Sequence, residues 1–357
     1  MARSVLRGGV SLFQVSRRIP LLSAPRCYSQ SEPEPLTLRE QKHGIRRIIL
    51  NNPKKRNALS LSMLETLREN ILTDDGEDLR VIIISAKGPV FSSGHDLKEL
   101  TSTQGREYHT KVFQTCSEVS LCRSGTETPA EELKHPDTEN INISLILNIS
   151  DIKYLLEWSL VSAWKRGLQV FIISVILVFQ VMTLIQDLPV PVIAMVNGVA
   201  TAAGCQLVAS CDIAVATEKS SFATPGVNVG LFCSTPAVAI GRAVPRKVAM
   251  EMLLTGSPMS AHDALLHGLV SKVVPEERLE EETLAIAQRV CQSSRPVVAL
   301  GKITFQRQMA QGRDAAYATA SKVMVDNLAL RDGQEGIQAF LEKRKPVWSH
   351  KPEKVHD

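Results

Sequence analysis

Two short stretches of this 357-residue chain carry backbone groups that could do chemistry. In the first, Gly94 precedes His95 where a β-branched run turns into a helical pattern. In the second, Ala202, Ala203 and Gly204 open a helix with almost no side chain between a ligand and the main chain. Both place N–H groups at a helix N-terminus, where unpaired donors and the helix dipole favour a developing oxyanion. Tight helix-on-strand packing is the other use of such small residues. Acids are scarce nearby: between Leu188 and Met250 the only carboxylates are Asp212 and Glu218. The pattern predicts a site rich in donors and poor in proton acceptors.

Few side chains there could replace an acid. His95 titrates near neutrality, but its ring is expected to face a ligand or solvent, with its role on the main chain. Asp212 is expected to cap the helix or turn before a strand, and Glu218 to lie exposed in a polar turn. Cys205, Cys211 and Cys233 read as small buried hydrophobes. Ser234 and Thr235 could line a pocket, without a base beside them. The seven cysteines have neither metal-type nor paired spacing, which fits free thiols in a reducing compartment and predicts no metal site.

These groups need elements to hold them. Gly44–Pro53 reads as a strand entering a turn. Leu61, Leu64, Leu67 and Ile71 recur at helical spacing, with Ser62 and Glu65 spaced as a capping box. Val81–Ser85 reads as a buried strand. A loop then becomes a helix near Asp96. A second strand, turn and helix follow at Val192, and another strand at Ile213. Strands alternating with helices predict an α/β fold. From Pro245 onward the pattern is helical, with breaks at Gly256, Gly268, Pro275, Pro296 and Gly333.

Charge is distributed unevenly. The first 31 residues hold five arginines, no lysine and no acid, so the net charge of +4 falls to about −1 without them. Basicity therefore gives no reason to expect nucleic-acid binding. The Arg-rich, acid-poor leader at 1–31 has the character of a mitochondrial transit peptide.

The rhythm breaks from about Ser120 to Val181. A polar, loop-like stretch leads into the uncharged run Gly167–Gln186, long enough to span a bilayer and flanked by Lys165 and Arg166. Gln169, Ser174, Gln180, Thr183 and Gln186 dilute it, so membrane contact is not favoured. Asn142 and Asn148 head N-x-S sequons that a mitochondrial protein would not have glycosylated.

Four segments together resemble the crotonase, or enoyl-CoA hydratase/isomerase, superfamily. NPKKRNALS (Asn52–Ser60) is similar to its first CoA loop and FSSGHDLKEL (Phe91–Leu100) to its first oxyanion-hole segment. NGVATAAGCQLVASCDIAVA (Asn197–Ala216) is similar to the second, and EGIQAFLEKRKP (Glu335–Pro346) to the C-terminal helix. The resemblance covers roughly residues 36–119 and 182–350. It implies a repeated ββα superhelix over 36–244, interrupted by a non-family insertion at 120–181, and a helical trimerisation region over 245–350.

The same resemblance implies site roles. The backbone N–H groups of His95 and Ala203 would hold a thioester oxygen, commonly worth about 3–4 kcal/mol each. Lys54, Lys55, Arg56 and Asp96 would lie near CoA. Phe340 and Lys343 would reach the CoA of a neighbouring subunit in a homotrimer or homohexamer. A CoA thioester is the implied substrate or ligand, with no permanently bound cofactor. The two hydratase glutamates, however, fall on Gln206 and Gly226. An amide can orient water but cannot take its proton, and losing one acid–base group typically costs about 10²–10⁴-fold. The expected protein is an acyl-CoA binder of the mitochondrial matrix, in fatty-acid metabolism, with weak or altered hydratase/isomerase-type activity. The alternative is a non-catalytic CoA-binding or regulatory protein.

Overall fold

The computed structural model describes residues 34–73, 78–100 and 166–355, with side chains in the helix at 166–187 described from Leu177. The leader, both sequons and most of the interruption lie outside these residues. Strands β1 (Thr37–Lys42) and β2 (Ile45–Leu50) form an antiparallel hairpin. His43 and Gly44 turn it with positive φ of 52° and 77°, the twist that suits a two-residue hairpin turn. Strands β3 (Val81–Ala86), β5 (Val192–Val196), β7 (Ile213–Thr217) and β10 (Lys272–Val274) extend this sheet in parallel, in the order β1-β2-β3-β5-β7-β10. A second sheet has the order β4 (Val90–Ser92), β6 (Val199–Thr201), β8 (Ser221–Ala223), β9 (Met259–Ser260).

The connections repeat. Each of β3, β5 and β7 in the first sheet leads directly into β4, β6 or β8 in the second, and a helix follows each pair. These helices are α2 (Arg166–Asp187), α3 (Ala203–Ser210) and α4 (Ser234–Ala243), with α1 (Leu61–Leu72) following the opening hairpin. This is the α/β crotonase architecture expected from the sequence, with its ββα repeat.

Hydrophobic patterning explains the layers. In β3, Ile82 and Ile84 join the main core with Ile48, Leu50, Val192, Ala194, Val196 and the second-sheet residues Phe91 and Phe222. Alternate residues Val81 and Ile83 join Ile193, Met195 and Val215 on the opposite face. Helix α7 (Leu279–Cys291) covers that face with Leu279 and Ala287. A strand buried on both faces reads as an unbroken apolar run, as Val81–Ile84 does. Helix α1 buries Met63, Leu64, Leu67 and Ile71. Its cap is Ser60, whose Oγ accepts from Met63 N at 3.3 Å, so Ser62 and Glu65 lie inside the helix rather than forming its capping box. At its other end the buried Arg46 guanidinium donates to the Asn70 and Ile71 carbonyls at 3.2 and 3.1 Å, satisfying groups the helix cannot.

Helix α2 corrects the expected interruption. Leu177, Val178, Val181, Met182 and Ile185 are buried in the main core, so a boundary at 181 cuts through a core helix. Among the described residues no helix is long and apolar enough to cross a membrane.

The C-terminal region contains α5 (Arg246–Thr255), α6 (Ala261–Leu266), α7, α8 (Arg295–Gln308), α9 (Arg313–Ala329) and α10 (Arg331–Leu341). Gly256 and Pro275 fall at breaks as expected, and Gly268 follows the end of α6. Pro296 instead lies in the first turn of α8, and Gly333 lies inside α10, the break coming at Leu330.

Asp212 is no local cap. Its Oδ2 accepts from Val192 N at 2.7 Å and pairs with Lys302 Nζ of α8 at 2.7 Å. The same ammonium donates to the Ile185 and Val190 carbonyls at 2.7 and 2.9 Å, so three acceptors meet its three donors. Burial raises the Asp212 pKa, and Lys302 opposes but does not cancel that rise. Removing one partner of such a pair leaves the other charge stranded. Lys302→Met is expected to cost about 3–5 kcal/mol in urea denaturation. A loss under about 1 kcal/mol would show that the cluster does not hold α8 to the sheet.

Candidate oxyanion site

The two donor segments meet because β4 and β6 lie side by side, Val90 opposite Val199 and Ser92 opposite Ala200. Past their ends both chains turn sharply. Gly94 has φ +84°, and a Cβ there would sit 2.8 Å from Thr201 O and 3.1 Å from Ala203 N. Only glycine allows both that conformation and that approach. Gly204 is as tightly bound by sterics: a Cβ would fall 2.5 Å from Ser92 O. The packing explanation of the small residues therefore holds at Gly204, while Ala203 begins the helix.

Between them Ala202 adopts φ 48°, ψ −120°, a conformation that normally belongs to glycine. Such strain costs of order 1–3 kcal/mol. It is held by Ala202 N donating to Ala223 O at 2.9 Å and by Gln206 N donating to Ala202 O at 3.0 Å. The turn leaves Ala203 N–H at the first position of α3, ahead of the helix's own hydrogen bonds. On the other segment Leu59 N donates to Gly94 O at 2.8 Å, and among the described residues no acceptor is recorded for His95 N–H. Two backbone donors are thus gathered where the strands end.

The basic turn lies alongside. Lys54, Lys55 and Arg56 are exposed around the short 3-10 turn Pro53–Lys55. Lys55 Nζ is 3.8 Å from Asp96 Oδ2, and Asp96 Oδ1 accepts from Lys98 N at 3.1 Å, capping the 3-10 turn Leu97–Leu100. Sequence reasoning passed over Asn57, which fixes this arrangement. It is fully buried with φ 48°. Its Oδ1 accepts from Asn52 N at 2.8 Å, and its Nδ2 donates to Lys87 O and Val90 O at 2.9 and 2.8 Å. Asparagine's tolerance of positive φ, beside a proline turn, was the available signal. Phe340 (83% exposed) and Lys343 lie at the end of α10, and no hydrogen bond or ion pair among the described residues links them to this cluster.

Gln206 is 5% exposed, and its Oε1 has no hydrogen-bond partner among the described residues. Gly226 sits in the 3-10 turn Pro225–Val229, where Leu231 N donates back to Gly226 O at 2.9 Å. A Cβ there would be 2.3 Å from Leu231 O and 2.7 Å from Cys233 Sγ. The backbone has closed over the space that an acid side chain would need.

His95 is half-buried: its ring Nε2 is buried and has no partner among the described residues, and burial lowers its pKa to about 4. It is uncharged at neutral pH. Burial pushes the Cys205 thiol up to about 12, and raises Cys211 and Cys233 as well, so none supplies a thiolate. Glu218 and Ser234 are exposed and Thr235 is half-buried. Among the described residues no group of three or more His, Cys, Asp or Glu could hold a metal ion.

The profile of the Enoyl-CoA hydratase/isomerase family matches residues 40–124 and 175–351. The chain belongs to that family. Its second matched block begins inside α2, in keeping with the core position of that helix. The chain is 61% identical over 322 residues to the zebrafish (Danio rerio) mitochondrial enoyl-CoA hydratase domain-containing protein 3, covering 90% of each. It is 57% identical over 324 residues to the human protein of that name, covering 90% of this chain and 86% of that one. The human protein's crystal structure matches with a TM-score of 0.67 over 88% of this chain and all of that one. An enoyl-CoA hydratase from Mycobacterium smegmatis matches with a TM-score of 0.67 at 38% identity, covering 88% of this chain and 99% of that one.

Two outcomes follow from this geometry. Gly226→Glu forces the 225–233 turn apart and is expected to cost about 1–3 kcal/mol, read as a lowered urea midpoint. An unchanged midpoint would show that the turn gives way freely. The folded chain binds the His95 proton less readily than the unfolded chain does. Stability is therefore level above about pH 6.5 and falls as pH drops from there toward 4. Between pH 7 and 4 the parent chain is expected to lose about 3 kcal/mol more than His95→Leu. Parallel pH curves would overturn the buried, uncharged ring.

Proposed function

We propose that this protein binds acyl-CoA thioesters in the mitochondrial matrix, in fatty-acid metabolism, with weak or altered hydratase/isomerase-type chemistry. The observation that supports the reading is the close approach of the Gly94–His95 segment to Ala203 N, with Gln206 and Gly226 standing where the family's two glutamates fall by resemblance. The donors would take the thioester oxygen at the N-terminus of α3 and stabilise negative charge there. Lys54, Lys55, Arg56 and Asp96 would contact CoA. With a neutral amide at one acid position and no side chain at the other, water has no carboxylate to take its proton.

The Arg-rich leader and the mitochondrial names of the relatives support the location. Assembly into a homotrimer or homohexamer is supported by apolar surface on the last two helices. Helix α9 buries no residue, and Tyr317, Met324, Val325, Phe340 and Leu341 are each more than 60% exposed. Single chains seldom leave so much apolar surface in water. Phe340 and Lys343 would then meet a neighbouring subunit's CoA.

A second reading, a CoA-binding protein without catalysis, is favoured by the closed turn at Gly226. Calorimetry with butyryl-CoA and a crotonyl-CoA hydration assay separate the readings. Micromolar binding with hydration at least 10²-fold below an active hydratase is expected. Gln206→Glu should raise that rate at least tenfold if one carboxylate helps. Turnover matching an active hydratase would refute the impairment, and a rate of zero for both chains would favour the non-catalytic reading.

A further inference from the structure

The last described residues, Val347–Val355, run back as a strap that joins α9 and α10 to elements far away in sequence. On the side of those helices, Val347 N donates to Glu335 Oε1 at 2.7 Å. Ser349 N and His350 N donate to the two carboxylate oxygens of Asp332 at 2.7 and 3.0 Å. Arg331 N donates to Glu353 O and Val355 N to Ala329 O, each at 2.8 Å. The Trp348 ring lies against Gly336, where a Cβ would meet it at 3.2 Å. On the side of the body, Trp348 Nε1 donates to Gln292 O, just past α7, at 2.9 Å. Helix α9 buries no residue and α10 buries Asp332 and Ala339, so these two helices have little core of their own to fasten them.

His350 closes the strap onto the body. It is half-buried, with a φ of 60° that is uncommon outside glycine. Arg80 Nη1, at the entry to β3, lies 2.8 Å from its Nδ1 and 3.1 Å from its Nε2. Arg295 N, in the first turn of α8, approaches Nδ1 at 3.4 Å. A guanidinium and a backbone N–H only donate, so Nδ1 must accept. An imidazolium carries an N–H at both nitrogens, and its proton at Nδ1 would point at two donors. Burial opposes a charge on the ring, as do Arg80 and Arg295, while Asp332 of α10 and Asp78 before β3 favour it. The balance holds the pKa of His350 below its ordinary value. On the strap itself, Lys351 and Glu353 lie 3.9 Å apart and offset each other.

We propose that Val347–Val355 is an acid-released strap: the neutral His350 ring docks it on Arg80 and Arg295, and protonation of that ring sets it free from the body. The docked ring binds a proton less readily than the released one, whose pKa is near 6.5. Docking is therefore at full strength above about pH 6.5 and weakens as pH falls below it. The carboxylates that hold the other face of the strap do not titrate in that window. Burial raises the Asp332 carboxyl, but hydrogen bonds from Ser294, Ser349 and His350 outweigh it and leave the pKa below its ordinary value. Hydrogen bonds from Arg344 and Val347 N hold Glu335 at about 2. Both stay ionised while His350 changes charge, so His350 is the point at which acid acts. The strap works independently of thioester binding.

Hydrogen exchange read by mass spectrometry on the purified full chain, without ligand, tests this. After correction for the intrinsic pH dependence of exchange, strap peptides are expected to exchange about 10-fold faster at about pH 5 than at about pH 7.5. Peptides covering β5 should keep their protection at both values, which separates release from unfolding. His350→Asn keeps an acceptor and tolerates positive φ but does not titrate. Its strap rates should agree within about threefold across the same range. Arg80→Gln decides the matter if the asparagine strap does not dock. Its amide can donate to the neutral ring or accept from the charged one, so its change should also stay within about threefold. Equal corrected rates in the parent chain overturn the proposal. So does a pH response kept in full by either docked variant, or loss of β5 protection together with that of the strap.

Discussion

Everything proposed for the site depends on how closely two strand ends approach each other. Strands β4 and β6 pair in parallel, and the chain leaving β4 must pass the chain leaving β6 with no room for a methyl group at Gly94 or Gly204. That approach brings the His95 segment against the start of α3. It also forces Ala202 into a strained conformation, which the hydrogen bond to β8 and the first turn of α3 hold in place. A site for an oxyanion needs donors that are rigid before the ligand arrives, because donors that must be ordered on binding give up much of their advantage. Here the rigidity comes from sterics at two glycines and strain at one alanine.

The layers behind the site supply what those short strands cannot. Strands β4, β6 and β8 have three residues each, too few to be stable alone. They are carried by the longer first sheet, whose two faces are both buried. Asn57 ties the basic turn to the loop between β3 and β4, and Lys302 ties α8 to α2 and to the start of β7. Each of these polar groups is almost wholly buried and satisfied by partners far away in sequence. They fix relative positions of elements where apolar packing alone would allow sliding.

The sequence was most legible where a pattern is local. The run Val81–Ile84 announced a strand covered on both faces, and the small residues around Gly94 and Gly204 announced close main-chain approach. Strands of three residues left no period to read, so the second sheet emerged only from the resemblance. Ser60 and Ser62 are both of a type that can cap a helix, and only the extended backbone and the Met63 hydrogen bond at Ser60 decide between them. Asp212 read as a local cap because its true partner, Lys302, is ninety positions away. At Gly226 the loss of an acid is what the resemblance implies, but the closure of the turn through Leu231 and Cys233 is a fact of packing. The unpartnered Nε2 of His95 could not be read from the sequence, because nothing local reveals the burial around that atom.

The position of α2 gives the long interruption a kinetic meaning. This helix packs into the core beside α1, yet the 65 residues numbered 101–165 separate it from the preceding 3-10 turn. Strands β1, β2 and β3 and helix α1 all precede that span, while α2 and the strands β5, β7 and β10 that complete the sheet follow it. Contacts between residues so far apart in sequence slow folding, so the separation bears on how fast the core closes.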